Sequence, residues 1–341
     1  FKQKTAYEIR LSLVGSEMCI RDRYPSLWQL RLAAPGGVRR AMLRPLCVVA
    51  LCASFAAAAK VYPSALAHGM GDSCFNAGMK EITALVGKTL DTYATCVPTG
   101  ATLAEDTNNG FFMTMNKNVD AFAAAVRNDT GLAGGFNCVG FSQGNSVCRG
   151  YVQRYNDPPV RNVLSVHGTV VGVAAFPHCD PTGLMGPVCR LVASLAGDAA
   201  YTSLTQGLLF QIDYYRDPLR VTSDAYKAHS ELAAWNNEGN VVNETYKRNF
   251  VSVDKWVMVK AEKDTMIHPN EGEHWGAFAD GSLKTVLPMR ETPWYVEDLF
   301  GLKTVDERGG IFFNTTAGDH MQFTKEELVA WLEYYLSLIH I

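Results

Sequence analysis

The chain lacks any apolar run of 18 residues, the length a helix needs to cross a hydrocarbon core, so no membrane-spanning helix is expected. Its nine cysteines never fall in the C-x-x-C spacing of zinc and thiol-redox sites. No internal repeat or low-complexity tract is present. Positive charge is also scarce where it would matter. Nine of the 31 basic residues but only three of the 34 acidic ones fall in residues 1–59, so residues 60–341 hold 22 against 31, a net −9. A body of that charge offers no general attraction to nucleic acid or anionic lipid.

What is there is ordinary globular composition: 341 residues, 48% hydrophobic and 19% charged, with 29 Gly and 14 Pro. Such a chain is neither disordered nor fibrous, and it is long enough to bury a substantial core.

Residues 42–59, MLRPLCVVALCASFAAAA, read as a secretory signal peptide: Arg44 supplies the positive start, Leu46 to Phe55 the apolar centre, and the alanines before Lys60 a small-residue cleavage site. Residues 1–41 are then expected to be upstream sequence, with LSLVGSEMCIRDR (11–23) adaptor-like, and 337–341 an adaptor-like tail. The fold is expected in 60–336. In an oxidising compartment the six cysteines of that span can pair. Cys179 and Cys189 bracket a short Pro/Gly-rich loop, and Cys74 with Cys96 is the next expected pair. Cys138, inside an apolar strand pattern, reads as a buried small hydrophobe. Sequons at Asn128, Asn243 and Asn314 predict surface N-glycosylation.

Strand and helix patterns alternate: strands near 62–67, 136–141, 162–166, 256–260 and 310–314, with helices near 75–88, 116–127 and 326–336 and another after Ser142 through Tyr155. That order predicts an α/β fold, a mostly parallel sheet with helices on both faces. Residues 177–250 interrupt the rhythm. Their apolar side chains (Leu184, Met185, Leu191, Leu195, Leu204, Leu208, Leu209, Phe210) suggest a mostly helical cap or an ordinary helical layer, which pattern alone does not separate.

The chemistry concentrates at Gly140-Phe141-Ser142-Gln143-Gly144, a G-x-S-x-G motif. Alone it is weak, but an apolar strand leads in and a helix leads out, the setting of a nucleophile elbow. Serine needs a base, because its hydroxyl is a poor nucleophile at its free pKa. In the elbow fold the order is Ser, acid, His. Of His229, His268, His274 and His320, only His320 sits after the last strand and before the final helix. Asp264, just past the 256–260 strand, is the acid candidate; Asp254, Asp280 and Asp319 fall before the strand, too far along, or beside the histidine itself. Two amides must hold the oxyanion: Gln143, after the serine, and Met70, in the turn His68-Gly69-Met70-Gly71. His68 itself reads as structural. Nothing points to a metal or organic cofactor.

Six motifs in order, HGMGDSC (68–74), GKTL (87–90), GFSQG (140–144), WVMVK (256–260) with Asp264 behind it, ETPWY…DLFGLK (291–303) and GDHMQ (318–322), resemble the palmitoyl-protein thioesterase family over about residues 62–335. The resemblance implies an α/β-hydrolase fold and carries the family's nucleophile, acid and histidine onto Ser142, Asp264 and His320, and its oxyanion amides onto Met70 and Gln143. It implies a lysosomal lumen enzyme removing long-chain acyl groups such as palmitate from protein cysteines, with S-acylated proteins as partners and 177–250 shaping an acyl groove. The chain departs from the family's animal type-one pattern at Asn145, which stands for a glycine. In 165–171, His167 stands for a small residue and Val170 for a histidine. A lipase or carboxylesterase acting on oxygen esters, and a non-catalytic relative, are the alternative readings.

Overall fold

The computed structural model describes residues 61–175, 186–195 and 197–337. The expectations for 1–59, for 338–341, and for a Cys179–Cys189 bridge (all of Cys179 and the side chain of Cys189) lie outside the described residues. The strands are β1 (Ser64–Ala67), β2 (Ala94–Cys96), β3 (Phe136–Phe141), β4 (Val160–Val166), β5 (Lys255–Ala261), β6 (Ala277–Phe278), β7 (Val286–Leu287) and β8 (Ile311–Thr316). β6 and β7 pair antiparallel; the other six form one sheet, parallel throughout, in the order β2-β1-β3-β4-β5-β8.

Helices α1 (Ala77–Leu90), α2 (Leu103–Phe112), α3 (Met115–Asn128) and α4 (Gly144–Arg154) fall among the first four strands. Between β4 and β5 come α5 (Gly186–Leu195), α6 (Phe210–Asp213), α7 (Asp224–His229), α8 (Glu231–Trp235) and α9 (Glu244–Val251). α10 (Pro293–Val296) and α11 (Leu302–Glu307) precede β8, and α12 (Lys325–Trp331) follows it. Threonine starts several of these helices: Thr102 and Thr114 accept amide N–H bonds at the heads of α2 and α3, and Thr324 with Glu327 closes a capping box on α12.

β3 is buried along its whole length, as a central parallel strand must be. Its period of two splits it between two cores. Phe136 and Cys138 join the cluster packed with Val119, Phe122 and Tyr151, whereas Val139 and Phe141 join Met79, Val86, Leu328 and Trp331. Helices α3 and α4 therefore cover one face, and α1 and α12 the other.

That alternation corrects the reading of Cys138. It is fully buried, as expected of a small hydrophobe, but it is bonded to Cys148, with Cα atoms 5.9 Å apart. β3, the elbow and the first turns of α4 form a tight hairpin in space, so α4 presents Cys148 directly to the strand. Cys74 bonds Cys96, tying the loop after β1 to β2. Replacing both Cys138 and Cys148 by serine is expected to lower the unfolding free energy by roughly 2–3 kcal/mol, from the loop-closure entropy returned to the unfolded chain. Urea unfolding of the double variant beside the parent checks this; an unchanged midpoint would contradict it.

The segment between β4 and β5 builds a small core of its own from Tyr201, Leu209, Ile212, Tyr215, Val221 and Tyr226. Of the apolar residues singled out there, Leu209 and Phe210 are buried, while Leu191, Leu204 and Leu208 face solvent.

Candidate active site

The carboxyl ends of the sheet strands carry the site, the usual position in open α/β sheets. Ser142 follows β3 directly at φ +52°, in the left-handed region, where a side chain is held only if its surroundings demand it. Its amide donates to the Val166 carbonyl at 3.0 Å. Helix α4 begins at once, with Gln143 as its N-cap, so the helix's positive end faces the serine. The turn 68–70 lies against Ser142: a Cβ on Gly69 would stand 3.1 Å from the Ser142 Cβ. Asn145 braces the elbow, donating from Nδ2 to the Ser142 carbonyl at 3.1 Å and to the Val166 carbonyl at 3.0 Å. Gln143 is anchored by its side chain, which donates to the Gly110 carbonyl at 2.7 Å and accepts from Gln211 at 2.7 Å.

Ser142 Oγ lies 2.9 Å from His320 Nε2, and His320 Nδ1 lies 2.6 Å from Asp264 Oδ2. The three come from the ends of β3, β8 and β5 and form one continuous hydrogen-bonded chain. Asp264 Oδ1 accepts the Met266 and Ile267 amides, each at 2.7 Å. Burial pushes this carboxyl up, but the bond and charge of His320 and the Ile267 amide outweigh it, leaving Asp264 below the usual range. Such a chain can take a proton from a serine hydroxyl and return it to a leaving group.

The rejected rivals have other duties. His229 and His268 are exposed, and His274 Nε2 lies 2.9 Å from the Asn314 carbonyl. Asp319 accepts from Thr265 and from the His320 amide, Asp280 pairs with Arg216, and Asp254 is exposed. His68 is bound by Asp106, 3.2 Å from Nε2, and its Nδ1 lies 2.9 Å from the Gly69 carbonyl, which braces the turn 68–70. Two clusters could offer metal ligands among the described residues: His68, Cys74 and Asp106, and His167, Asp264 and His320. In the first the sulfur is bonded to Cys96; in the second His320 and Asp264 bond each other, and the two His167 ring nitrogens are taken by the Met321 amide and Thr316 Oγ1.

Glu273 was missed by the sequence reading. It sits in the short turn after Pro269, fully buried, with Oε2 accepting the Ala261 amide at 2.9 Å. Burial, then the charge of Asp264, push its carboxyl up to about 10. It is therefore a neutral acid at pH 7, buried near the charge of Asp264. No sequence signal marks it: a Glu between Gly272 and His274 is ordinary loop composition. From the ordinary carboxyl range to about 10 the folded protein holds a proton the unfolded chain has released, so this group lowers stability as pH rises through that window. Glu273→Gln keeps an oxygen for the Ala261 amide without the protonation. It is expected to be more stable than the parent at pH 7 by about 2 kcal/mol and equal to it at pH 4, with turnover little changed. Thermal unfolding at both pH values checks this; a variant less stable at pH 7 would contradict it.

A cleft of about 260 Å³ opens over Ser142 and His320, walled by Gly69, Met70, Val173, Tyr214, Met266, Ile267 and Met321. A larger cleft of about 480 Å³, lined by Lys260, His274, Arg290 and Phe313, lies elsewhere and contains no nucleophile beside a base. Of the glycosylation candidates, Asn128 is exposed at the end of α3, Asn243 caps α9, and Asn314 lies on β8 with its amide donating to the Tyr335 hydroxyl at 3.1 Å.

Residues 63–320 match the profile of the family described as palmitoyl protein thioesterase. Palmitoyl-protein thioesterase 1 of Caenorhabditis elegans is 36% identical over 287 residues, covering 83% of this chain and 95% of that one. Palmitoyl-protein thioesterase 3 of Dictyostelium discoideum is 36% identical over 220 residues, 64% and 73% of the two chains. Lysosomal thioesterase PPT2 of Rattus norvegicus is 31% identical over 193 residues, 54% and 59%. With its parallel sheet, its serine at the β3–α4 elbow and this likeness along most of its length, the chain belongs to the palmitoyl protein thioesterase family, thioester hydrolases on the α/β-hydrolase fold.

Proposed function

We propose that this protein removes long-chain acyl groups, palmitate among them, from protein cysteines, with Ser142 as nucleophile, His320 as base, Asp264 as the group that orients it, and the Met70 and Gln143 amides holding the oxyanion. The observation that carries the reading is the Ser142–His320–Asp264 chain at 2.9 and 2.6 Å. Ser142 Oγ attacks the thioester carbonyl while His320 Nε2 takes its proton, and charge gathers on the carbonyl oxygen between the two amides. The C–S bond breaks and the cysteine sulfur leaves readily, because its conjugate acid has a pKa near 8.5; it takes the proton from His320 Nε2, which returns the ring to its neutral form. Water, deprotonated by His320, then cleaves the acyl-serine and frees the fatty acid.

The apolar walls of the cleft support an acyl substrate, since each buried CH₂ contributes about 0.8 kcal/mol. The signal-peptide pattern, the sequons and the lysosomal relative support a role in the lysosome lumen, in the breakdown of lipid-modified proteins, with Asn128, Asn243 and Asn314 as the glycosylation candidates. Hydrolysis of an S-palmitoyl peptide beside a matched oxygen ester tests the substrate class. Turnover of the thioester that vanishes in Ser142→Ala is expected. Turnover of the oxygen ester alone would make the protein a lipase-like member and overturn the reading.

A further inference from the structure

His167 follows β4 directly, and its backbone has φ +49°, a conformation an L-residue adopts at a cost that glycine would not incur. Its side chain is completely buried, so it makes no contact with a substrate in the cleft. Both ring nitrogens are committed. Nδ1 accepts the Met321 amide at 2.8 Å, and Nε2 lies 3.0 Å from Thr316 Oγ1. An amide N–H can only donate, so Nδ1 is bare and the proton sits on Nε2, donating to the threonine. Thr316 ends β8 and Met321 follows His320; the two bonds therefore grip both ends of the short loop that carries His320. Met321 itself is at φ +60°, so the loop turns back on a residue that needs an outside partner to hold it. The His167 and His320 ring centres are 6.0 Å apart, and Phe323 packs edge-on against His167 at 6.1 Å.

The opposite side of the loop is held by Asp319 on Thr265, which ties His320 to the Asp264 loop. His167 supplies the tie to β4. Its ring stays neutral: burial, then His320, hold it down to about 4, against the pull of Asp264 and Glu327. A neutral ring is what the Met321 amide requires, since a proton on Nδ1 would set two donors against each other.

We propose that His167 is a positioning residue for the reaction, whose ring clamps the His320 loop and so holds the base on Ser142. The inference rests on the proposed roles of Ser142 and His320, and its test separates the two. The rate of covalent labelling by a fluorophosphonate, which needs a base-activated serine but no natural substrate, is measured for the parent and for His320→Ala, His167→Gly, His167→Asn and His167→Gln, each with its melting temperature. Asn tolerates φ > 0 and can set its oxygen near the place of Nδ1 to accept the Met321 amide; Gln carries its oxygen one carbon too far. His167→Gly and His167→Gln are expected to label about 100-fold more slowly, the scale of a misplaced catalytic group, while His167→Asn stays within about tenfold of the parent. A role in stability alone would make the rates follow the melting temperatures rather than the Asn–Gln difference. If His167→Gly labels at the parental rate, or Asn does no better than Gln, while His320→Ala is dead, the clamp is overturned and the triad stands. If His320→Ala labels like the parent, the triad reading falls and takes the clamp with it.

Discussion

Asp264→Asn is expected to lower kcat for thioester hydrolysis by about 10⁴-fold while leaving the fold intact. The direction follows from hydrogen-bond bookkeeping around one carboxylate. Asp264 Oδ1 accepts two backbone N–H groups, from Met266 and Ile267. An asparagine must keep its oxygen on those two donors, because turning its NH₂ toward them would set donor against donor. The NH₂ then faces His320 Nδ1, where the carboxylate stood at 2.6 Å. His320 can meet a donor there only by surrendering the Nδ1 proton and carrying it on Nε2 instead. Nε2 is the atom 2.9 Å from Ser142 Oγ, and with a proton already on it the ring cannot take another from the serine. Steady-state kinetics with an S-palmitoyl peptide, and a melting temperature to certify the fold, check this. A loss below tenfold would mean that Asp264 does not set the tautomer of His320.

The second large effect is expected from Gly144→Ala. Ala is ordinarily the better helix former, and α4 begins at this residue, so propensity alone predicts a gain. Packing reverses the sign. A Cβ at Gly144 would lie 2.2 Å from the Ala67 carbonyl oxygen and 2.7 Å from that of His68. Both are backbone atoms at the end of β1, so no side chain can swing aside. Relief requires moving either α4 or the turn His68-Gly69-Met70. We expect a loss of at least about 3 kcal/mol in stability, at the upper end for an overpacked core. We also expect at least a 100-fold loss in kcat, the scale of one displaced oxyanion donor, because the turn that moves is the one bearing the Met70 amide. Chemical denaturation with kinetics on the surviving folded fraction checks both, and a variant as stable and active as the parent would contradict the close approach.

Much of this site was legible because its signals are local or ordinal. The elbow is five consecutive residues between a strand and a helix, and Asp264 and His320 follow from chain order once strands are recognised. Glu273 was not legible, because its meaning depends on a turn that folds back and sets its carboxyl on the Ala261 amide at the end of β5, near the charge of Asp264. The Cys138–Cys148 bond was misread for a similar reason: period two correctly buried Cys138, but nothing in the strand pattern says which α4 residue faces it. The segment before β5 was the least readable. Its apolar residues suggested a helical cap or an ordinary helical layer, yet Leu204 and Leu208 are exposed and aromatic residues such as Tyr201 and Tyr226 build its core. His167 shows the converse. A departure from pattern marked the position, but its bonds to Thr316 and Met321 join residues about 150 apart in sequence, a distance no spacing rule bridges.

The most direct test of the central claim is to catch the acyl-enzyme. Mixing the protein with an S-palmitoyl peptide, quenching in acid within milliseconds and mapping the digest by mass spectrometry should find one palmitoyl group on the peptide bearing Ser142. The label should decay as free palmitate accumulates and be absent from Ser142→Ala. A palmitoyl group on any other residue, or thioester turnover that persists in Ser142→Ala, would contradict the account.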